Sequence, residues 1–360
     1  MRRVSLADLA ALHAPLRKDL DDAWCRVVDT GRFVLGTEVD AFERELGAFC
    51  RVSYVVGASS GTDALVLALM ALGVGSGDEV VTPAFSFVAA AEAVARLGAT
   101  PVFADVGEDF DLDPAPALAR VTPRTRAILT VDLFGLRADV ARLAEARVPI
   151  VEDAAQAIGA TGVGGEDVRA AATSFFPTKN LGALGDGGAV FTSDETLAHE
   201  VRSLRSHGAR PKYVHHRVGG NMRLDALQAA FLRVKLPHVA RWSARRAAIA
   251  TAYRGELAGV TGVALPPNSP GHVWHQFVIR VADARRDAMR VHLAEHGVET
   301  EVYYPLPLHL QPCFAHLGGR PGDHPVSEAA AREALALPIH AALDDADVAQ
   351  VIDAVRRFPR

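Results

Sequence analysis

Residues 53–72 read SYVVGASSGTDALVLALMAL. A short β-branched run is followed by a turn of small and polar residues, then by the apolar run 64–72. An apolar segment with no polar face is a buried helix, so the stretch reads strand, turn, buried helix. Parallel strands require such crossovers. The pattern repeats downstream: strand 79–82 ended by Pro83, helix 87–97, strand 100–106, strand 127–132, helix 138–146 and strand 149–153. This alternation predicts an α/β fold built on a mostly parallel sheet with helices on both faces. Upstream, residues 1–50 read as amphipathic helices broken at Gly31 and Gly36. Downstream, strand 189–192 precedes a long helix over 223–242, continued by Arg- and Ala-rich helix to about residue 257. The pattern changes near 266–271. A strand at 273–281, a helix at 285–296, a strand or turn at 297–304 and a helical end centred on 335–339 predict a smaller α+β unit. The expected division is 1–245 for the large domain and 246–360 for the small one.

The composition of the 360 residues, 49% hydrophobic and 22% charged, excludes a disordered chain, a collagen and a small disulfide scaffold. A net charge of −5 provides no positive field for nucleic acid or an anionic membrane. The apolar run 64–72 is the longest, and spanning a bilayer takes about 20 residues. The first twenty residues carry charge throughout and do not read as a signal peptide. Cys25, Cys50 and Cys313 are too dispersed for a disulfide framework or a zinc site, so the expected compartment is the cytoplasm. The chain has 34 arginines and 4 lysines, Lys18, Lys179, Lys212 and Lys235. Chemistry that demands an amine therefore has four places to occur.

Residues 173–190 read TSFFPTKNLGALGDGGAV. Lys179 stands between an apolar strand and a run of glycines. It is either a solvated loop lysine or an amine whose pKa is lowered by Phe175, Phe176 and Leu181, as a Schiff-base lysine requires. The glycines would let backbone approach a flat ligand. A dinucleotide loop has the opposite order, since it follows a strand and opens a helix. Lys18 falls in a charged helix, Lys212 in a polar loop and Lys235 among core residues.

In PIVEDAAQAIGA (149–160) a strand runs into Glu152 and Asp153. Ligands of open α/β sheets bind beyond the carboxyl ends of strands. Asp153 is thus a cap for the next turn or a carboxylate paired with a pyridinium nitrogen. The small polar residues 58–63 before a helix are ordinary caps or a phosphate site. Phe87, after Pro83, is a core residue or the flat cover of a planar ring. Phosphate cradle, stacking aromatic, pyridinium carboxylate and Schiff-base lysine, in that order, make a constellation for pyridoxal 5'-phosphate (PLP).

With GRFVLG (31–36), SGTDAL (60–65), GATPVFAD (98–105), EDAAQ (152–156), SFFPTKNLG (174–182), GNMRLDALQAA (220–230) and YPLPLHLQ (304–311), essentially the whole chain resembles the DegT–StrS sugar aminotransferases, PLP enzymes of fold type I. The resemblance implies that Lys179 forms the Schiff base and shuttles protons. It implies that Asp153 holds the ring nitrogen, that Gln156 sits by the ring hydroxyl and that Phe87 stacks on the ring. Gly61, Thr62 and Ser174 would bind the phosphate, and Asn221 would reach it from the other subunit of a homodimer with shared sites. Arg223 and His309 would meet the substrate. No metal is implied. The expected activity is transfer of an amino group from L-glutamate to a nucleotide-diphosphate-linked keto sugar, at C3 of a keto-deoxyhexose. Two alternatives are an aminotransferase for another cyclic ketone, such as an aminocyclitol precursor, and a PLP-binding regulator without turnover. A branch of the family that carries histidine in place of the lysine dehydrates sugars instead, and Lys179 points away from it.

Overall fold

The computed structural model describes residues 3–359. Seven strands, β1 (Tyr54–Ala58), β2 (Glu79–Pro83), β3 (Thr100–Ala104), β4 (Thr125–Val131), β5 (Ile150–Asp153), β6 (Ala170–Ser174) and β7 (Gly188–Thr192), form one sheet in the order β1-β7-β6-β5-β4-β2-β3. Only β7 runs against the others. The carboxyl ends of the remaining six therefore share one edge. The buried helix Gly61–Ala71 lies against β6 and β7 on one side and against neighbouring helices on the other, and Leu65, Leu67 and Leu69 are all at most 1% exposed.

The carboxyl end of β1 is tied down by a buried ion pair. Arg205 donates to Glu43 Oε1 (2.6 Å) and to Gly57 O (2.8 Å), while Gly57 N donates to Glu43 Oε1 (2.8 Å). Removing either charge would strand the other, at a cost of about 3–5 kcal/mol. In β5, Glu152 and Asp153 are consecutive and so face opposite sides of the sheet. Glu152 accepts from Arg137 (2.6 Å) and from Gly164 N (2.8 Å), and Asp153 faces the other way.

Strands β8 (Val263–Ala264), β9 (Phe277–Val281) and β10 (Ala334–Leu337) make a second, antiparallel sheet in the order β10-β9-β8. Its core gathers Tyr253, Phe277, Ile279, Leu335 and Leu337. The two sheets are clamped together by Asp105, just past β3. Its carboxylate accepts from the amides of Val326 and Ser327, in the first turn of helix Pro325–Glu333, and from Ser327 Oγ.

Two expected elements differ. The expected helix over 223–242 is two helices, Ala226–Lys235 and Val239–Leu257, joined by a 3₁₀ turn around Pro237, which has no amide hydrogen to donate. The expected helical centre at 335–339 is instead β10, paired antiparallel with β9. A short apolar run fits a buried helix or a buried strand equally, and pairing decided it. Helix Val239–Leu257 runs through residue 245. No helix among the described residues is long and apolar enough to cross a membrane.

Candidate active site

At the shared carboxyl edge lies a cavity of about 380 Å³, lined by residues from β1–helix, β2–helix, β5 and β6 connections and by residues 275–276 and 303–304. Lys179 and Asp153 both open into it. Asp153 Oδ1 accepts from Ala155 N (3.1 Å), and Oδ2 takes no hydrogen bond among the described residues. Burial pushes this carboxyl up to about 6, against the opposing pull of the Ala155 amide and the Lys179 charge. Burial of the surroundings draws the Lys179 amine down to about 8, with the Asp153 charge acting the other way. Near neutrality the two are opposite charges sharing one poorly solvated space.

A third element is the start of helix Gly61–Ala71. Ser60 caps it, accepting from Asp63 N through its hydroxyl (3.0 Å) and from Ala64 N through its carbonyl (3.0 Å). That leaves the Gly61 and Thr62 amides at the positive end of the helix for an outside anion. Ser174 stands against them: a Cβ on Gly61 would lie 2.7 Å from Ser174 Cβ. Gln156 is held by two bonds. Its Oε1 accepts from Phe134 N (2.7 Å) and its Nε2 donates to Tyr304 Oη (3.3 Å). Phe87, 53% exposed, is a wall residue and not core, with its ring 5.9 Å from that of Tyr304.

The chain belongs to the DegT/DnrJ/EryC1/StrS aminotransferase family. The family model matches residues 16–356. The chain is 46% identical to dTDP-3-amino-3,4,6-trideoxy-alpha-D-glucose transaminase of Streptomyces venezuelae, across 99% of this chain and 96% of that one. It superposes with a TM-score of 0.96 on S. venezuelae DesV in complex with a ketimine intermediate, at 45% identity over 99% of both chains. NtdA of Bacillus subtilis with bound cofactor PMP matches with a TM-score of 0.94 at 30% identity, over 99% of this chain and 85% of that one. The chain is thus a PLP-dependent aminotransferase of fold type I.

The cavity fits that cofactor on its own chemistry. It has an amine of lowered basicity, a carboxylate with a spare oxygen for a ring N–H, and a helix start with the Gly61 and Thr62 amides beside Ser174, donors that suit a phosphate. Lys235 is also drawn down to about 8 by burial, but it donates to Gly182 O (2.7 Å) away from the cavity. Position, not basicity, therefore sets Lys179 apart.

Several expected residues lie elsewhere. Asn221 is exposed and bridges Ser206, Arg223 bridges Ala58, and neither lines the cavity of its own chain. His309 is buried, its Nε2 3.2 Å from Glu328 Oε1 and its ring edge-on to His324, and it too is absent from the lining. The glycines after Lys179 include two that pack closely against protein. A Cβ on Gly182 would meet Pro177 O at 2.2 Å, and one on Gly188 would meet Ser60 O at 2.3 Å. Gly188→Ala must therefore displace Ser60, the cap of helix Gly61–Ala71. We expect a loss of about 2 kcal/mol in denaturant unfolding, since overpacking typically costs 1–3, together with faster loss of PLP on dialysis.

Tyr303, Tyr304, Asp186 and His275 also line the cavity. Sequence reasoning assigned none of them a role. The paired tyrosines at 303–304, in a chain with five tyrosines, were the available signal.

Proposed function

We propose that this aminotransferase transfers an amino group from L-glutamate to C3 of a nucleotide-diphosphate-linked keto-deoxyhexose. The observation that supports the reading is one cavity shared by Lys179, Asp153 and the Gly61–Thr62–Ser174 cradle. The position and class of the acceptor follow from similarity to the 3-amino sugar transaminase. The cradle would hold the phosphate, Gln156 the ring hydroxyl and Phe87 one ring face. Bound there, PLP supplies the electron sink for ionising a C–H bond beside nitrogen. The Asp153 carboxylate keeps the ring nitrogen positive. Lys179 Nζ would lift the proton from the donor carbon and hand it to the cofactor within the same stroke, and would carry one the opposite way, onto the acceptor carbon, in the second. Its lowered basicity makes both transfers accessible near neutral pH.

The functional unit in this reading is a homodimer, with Asn221 and Arg223 completing the cavity of a second copy. Val34 bridges Asp225, and Leu184 N donates to Gln228 Oε1. Exposed Phe33, Val34 and Leu184 thus lie on the side of the 221–228 segment and supply apolar surface for such a contact. The planar fork of Arg223 suits glutamate's carboxylate in one stroke and the sugar's phosphate in the other. His309 would act on the sugar side through the wall bearing Tyr304. Residues 1–245 form the cofactor-binding domain of this scheme and 246–360 the small domain. A cytoplasmic setting accords with three unpaired cysteines.

Steady-state kinetics with UDP-, dTDP- and GDP-linked keto sugars and free ketones test the class. Parallel double-reciprocal lines with a nucleotide-linked acceptor are expected. Equal use of a free cyclic ketone would replace the nucleotide sugar with that ketone as substrate. Subunit mixing tests the shared site. Equal exchange of inactive Lys179→Ala with inactive Asn221→Ala-Arg223→Ala chains should restore about a quarter of wild-type activity, because each heterodimer keeps one intact site. No recovery after verified exchange would mean each chain uses its own residues.

A further inference from the structure

One of the four lysines is buried in the core, outside the cavity. Lys18 and Lys212 are exposed and Lys179 opens into the cavity, but Lys235, the last residue of helix Ala226–Lys235, is 1% exposed. Its Nζ donates to Gly182 O (2.7 Å), with Ala183 O at 3.5 Å. Among the described residues no carboxylate pairs with it, and burial alone sets its lowered basicity. His13 feels its charge and is held below its ordinary pKa, by burial first and by Lys235 second. A buried ammonium without a counter-charge is destabilising, and a methionine of similar length would carry no such penalty. The charge at this position therefore needs a reason other than packing.

The carbonyl it holds belongs to the turn that carries Lys179. Phe175 N donates to Gly187 O (2.8 Å) and Ala183 N to Phe175 O (2.7 Å), which closes the neck of the loop. Within it Lys179 N donates to Phe176 O (2.8 Å). Gly182 folds back onto the near side of the same loop, so closely that a Cβ there would lie 2.2 Å from Pro177 O and 2.7 Å from Pro177 C. Pro177 and Gly182 thus press on each other across the base of the turn, one on each side of Lys179. Gly182 is buried, and Lys235 is the only hydrogen-bond donor to its carbonyl among the described residues. A buried carbonyl deprived of its donor is costly and turns toward another. Rotation of the 182–183 peptide would push on Pro177 and swing the residues between.

We propose that Lys235 is a positioning residue for Lys179: its ammonium holds the Gly182 carbonyl and, through the contact of Gly182 with Pro177, fixes the turn that aims the Lys179 amine into the cavity. Lys235 does not line the cavity. It reaches the reactive lysine only through backbone, so its loss changes where the Lys179 amine points. A misplacement of about 1 Å can cost 10²-fold in rate. The proposal rests on Lys179 being the reactive amine. That is tested separately, by borohydride reduction of the PLP-loaded enzyme and mapping of the labelled lysine.

The experiment compares the full wild-type chain with Lys235→Met, which keeps the length and removes the donor, and Lys235→Arg, which keeps a long cationic donor. In cofactor-free protein, hydrogen exchange at the Lys179 and Ala183 amides should speed up by about tenfold in Lys235→Met, with the strands of the large sheet unchanged. With PLP bound, the circular dichroism of the cofactor band, which reports the angle between the lysine linkage and the ring, should weaken. Turnover should fall by about 10–100-fold, with KM for glutamate within about twofold of wild type. Lys235→Arg should recover most of each loss. Unchanged exchange at Lys179 and Ala183 in Lys235→Met would overturn the proposal. So would a lowered unfolding midpoint with wild-type dichroism and kcat, which is how a lysine of purely structural importance behaves. If Lys235→Met does not fold, nitrogen-15 NMR of the wild-type lysine side chains decides. With only four lysines, Lys235 should stand out as a slowly exchanging ammonium coupled to the Gly182 carbonyl, and a freely exchanging or uncoupled signal would overturn the assignment. A borohydride label on another lysine would remove Lys179 from the scheme, while the exchange result on the turn would stand or fall independently.

Discussion

Lys179→Ala is expected to fold normally and to lose about four orders of magnitude in turnover, because the covalent anchor and the proton carrier disappear together. The variant should retain some PLP through the phosphate cradle and Asp153, visible as absorbance without a borohydride-stable label. The wild-type protein offers a quantitative companion. Only the unprotonated amine attacks an aldehyde, and burial brings Lys179 down to about 8. Capture of PLP by cofactor-free protein should therefore speed up from pH 6 to pH 9, with a midpoint near 8, and level off above. A midpoint beyond pH 10 would mean a water-like amine and would remove the basis for its role. Lys235, though also drawn down to about 8, is engaged by Gly182 O and should take no label.

Asp153→Asn should slow amino transfer by about 10²–10³-fold, the scale seen when one preorganised electrostatic contact to a developing charge is removed. The carboxyl titrates at about 6, so at pH 7 it is largely ionised and can hold a protonated ring nitrogen. An amide fills the same space and can still accept from Ala155 N, but has no charge to offer. PLP content and unfolding midpoint should stay near wild type while kcat falls. Near-normal kcat would reduce Asp153 to a turn-capping residue. Glu152→Gln is the matched control. It should leave the chemistry nearly intact but destabilise the fold by about 1–3 kcal/mol, because Arg137 would lose the Glu152 charge while keeping its bond to Asp167.

The parts of this site that could be read from sequence are those whose neighbours in the chain are also their neighbours in space. Lys179 stood out through lysine scarcity and flanking phenylalanines, Asp153 through its place at a strand end, and Gly61 and Thr62 through a cap before an apolar helix. His275, Tyr303 and Tyr304 reach the cavity from the part of the chain that builds the second sheet, more than a hundred residues past Gln156. Nothing local marks them as facing it. The packing of the glycine-rich turn was not legible for a related reason. Its need for small residues comes from the carbonyls of Pro177 and Ser60, and the latter lies far away in sequence. The break at Pro237 carried its own local signal. The β10 strand did not, because ALAL is compatible with either element until β9 lies beside it.

In β5 the two acids are separated by parity alone, one committed to Arg137 and the other to the cavity. The spelling of the strand therefore matters as much as its letters. Substitution can edit Ile150 or Val151 and leave each acid on its own face. A one-codon insertion just ahead of Glu152 would put Glu152 where Asp153 faces the cavity and leave Arg137 opposite the inserted residue, and a one-codon deletion would put Asp153 opposite Arg137 and Ala154 at the cavity. In the history of such a chain, this four-residue strand is a place where length is inherited as strictly as identity.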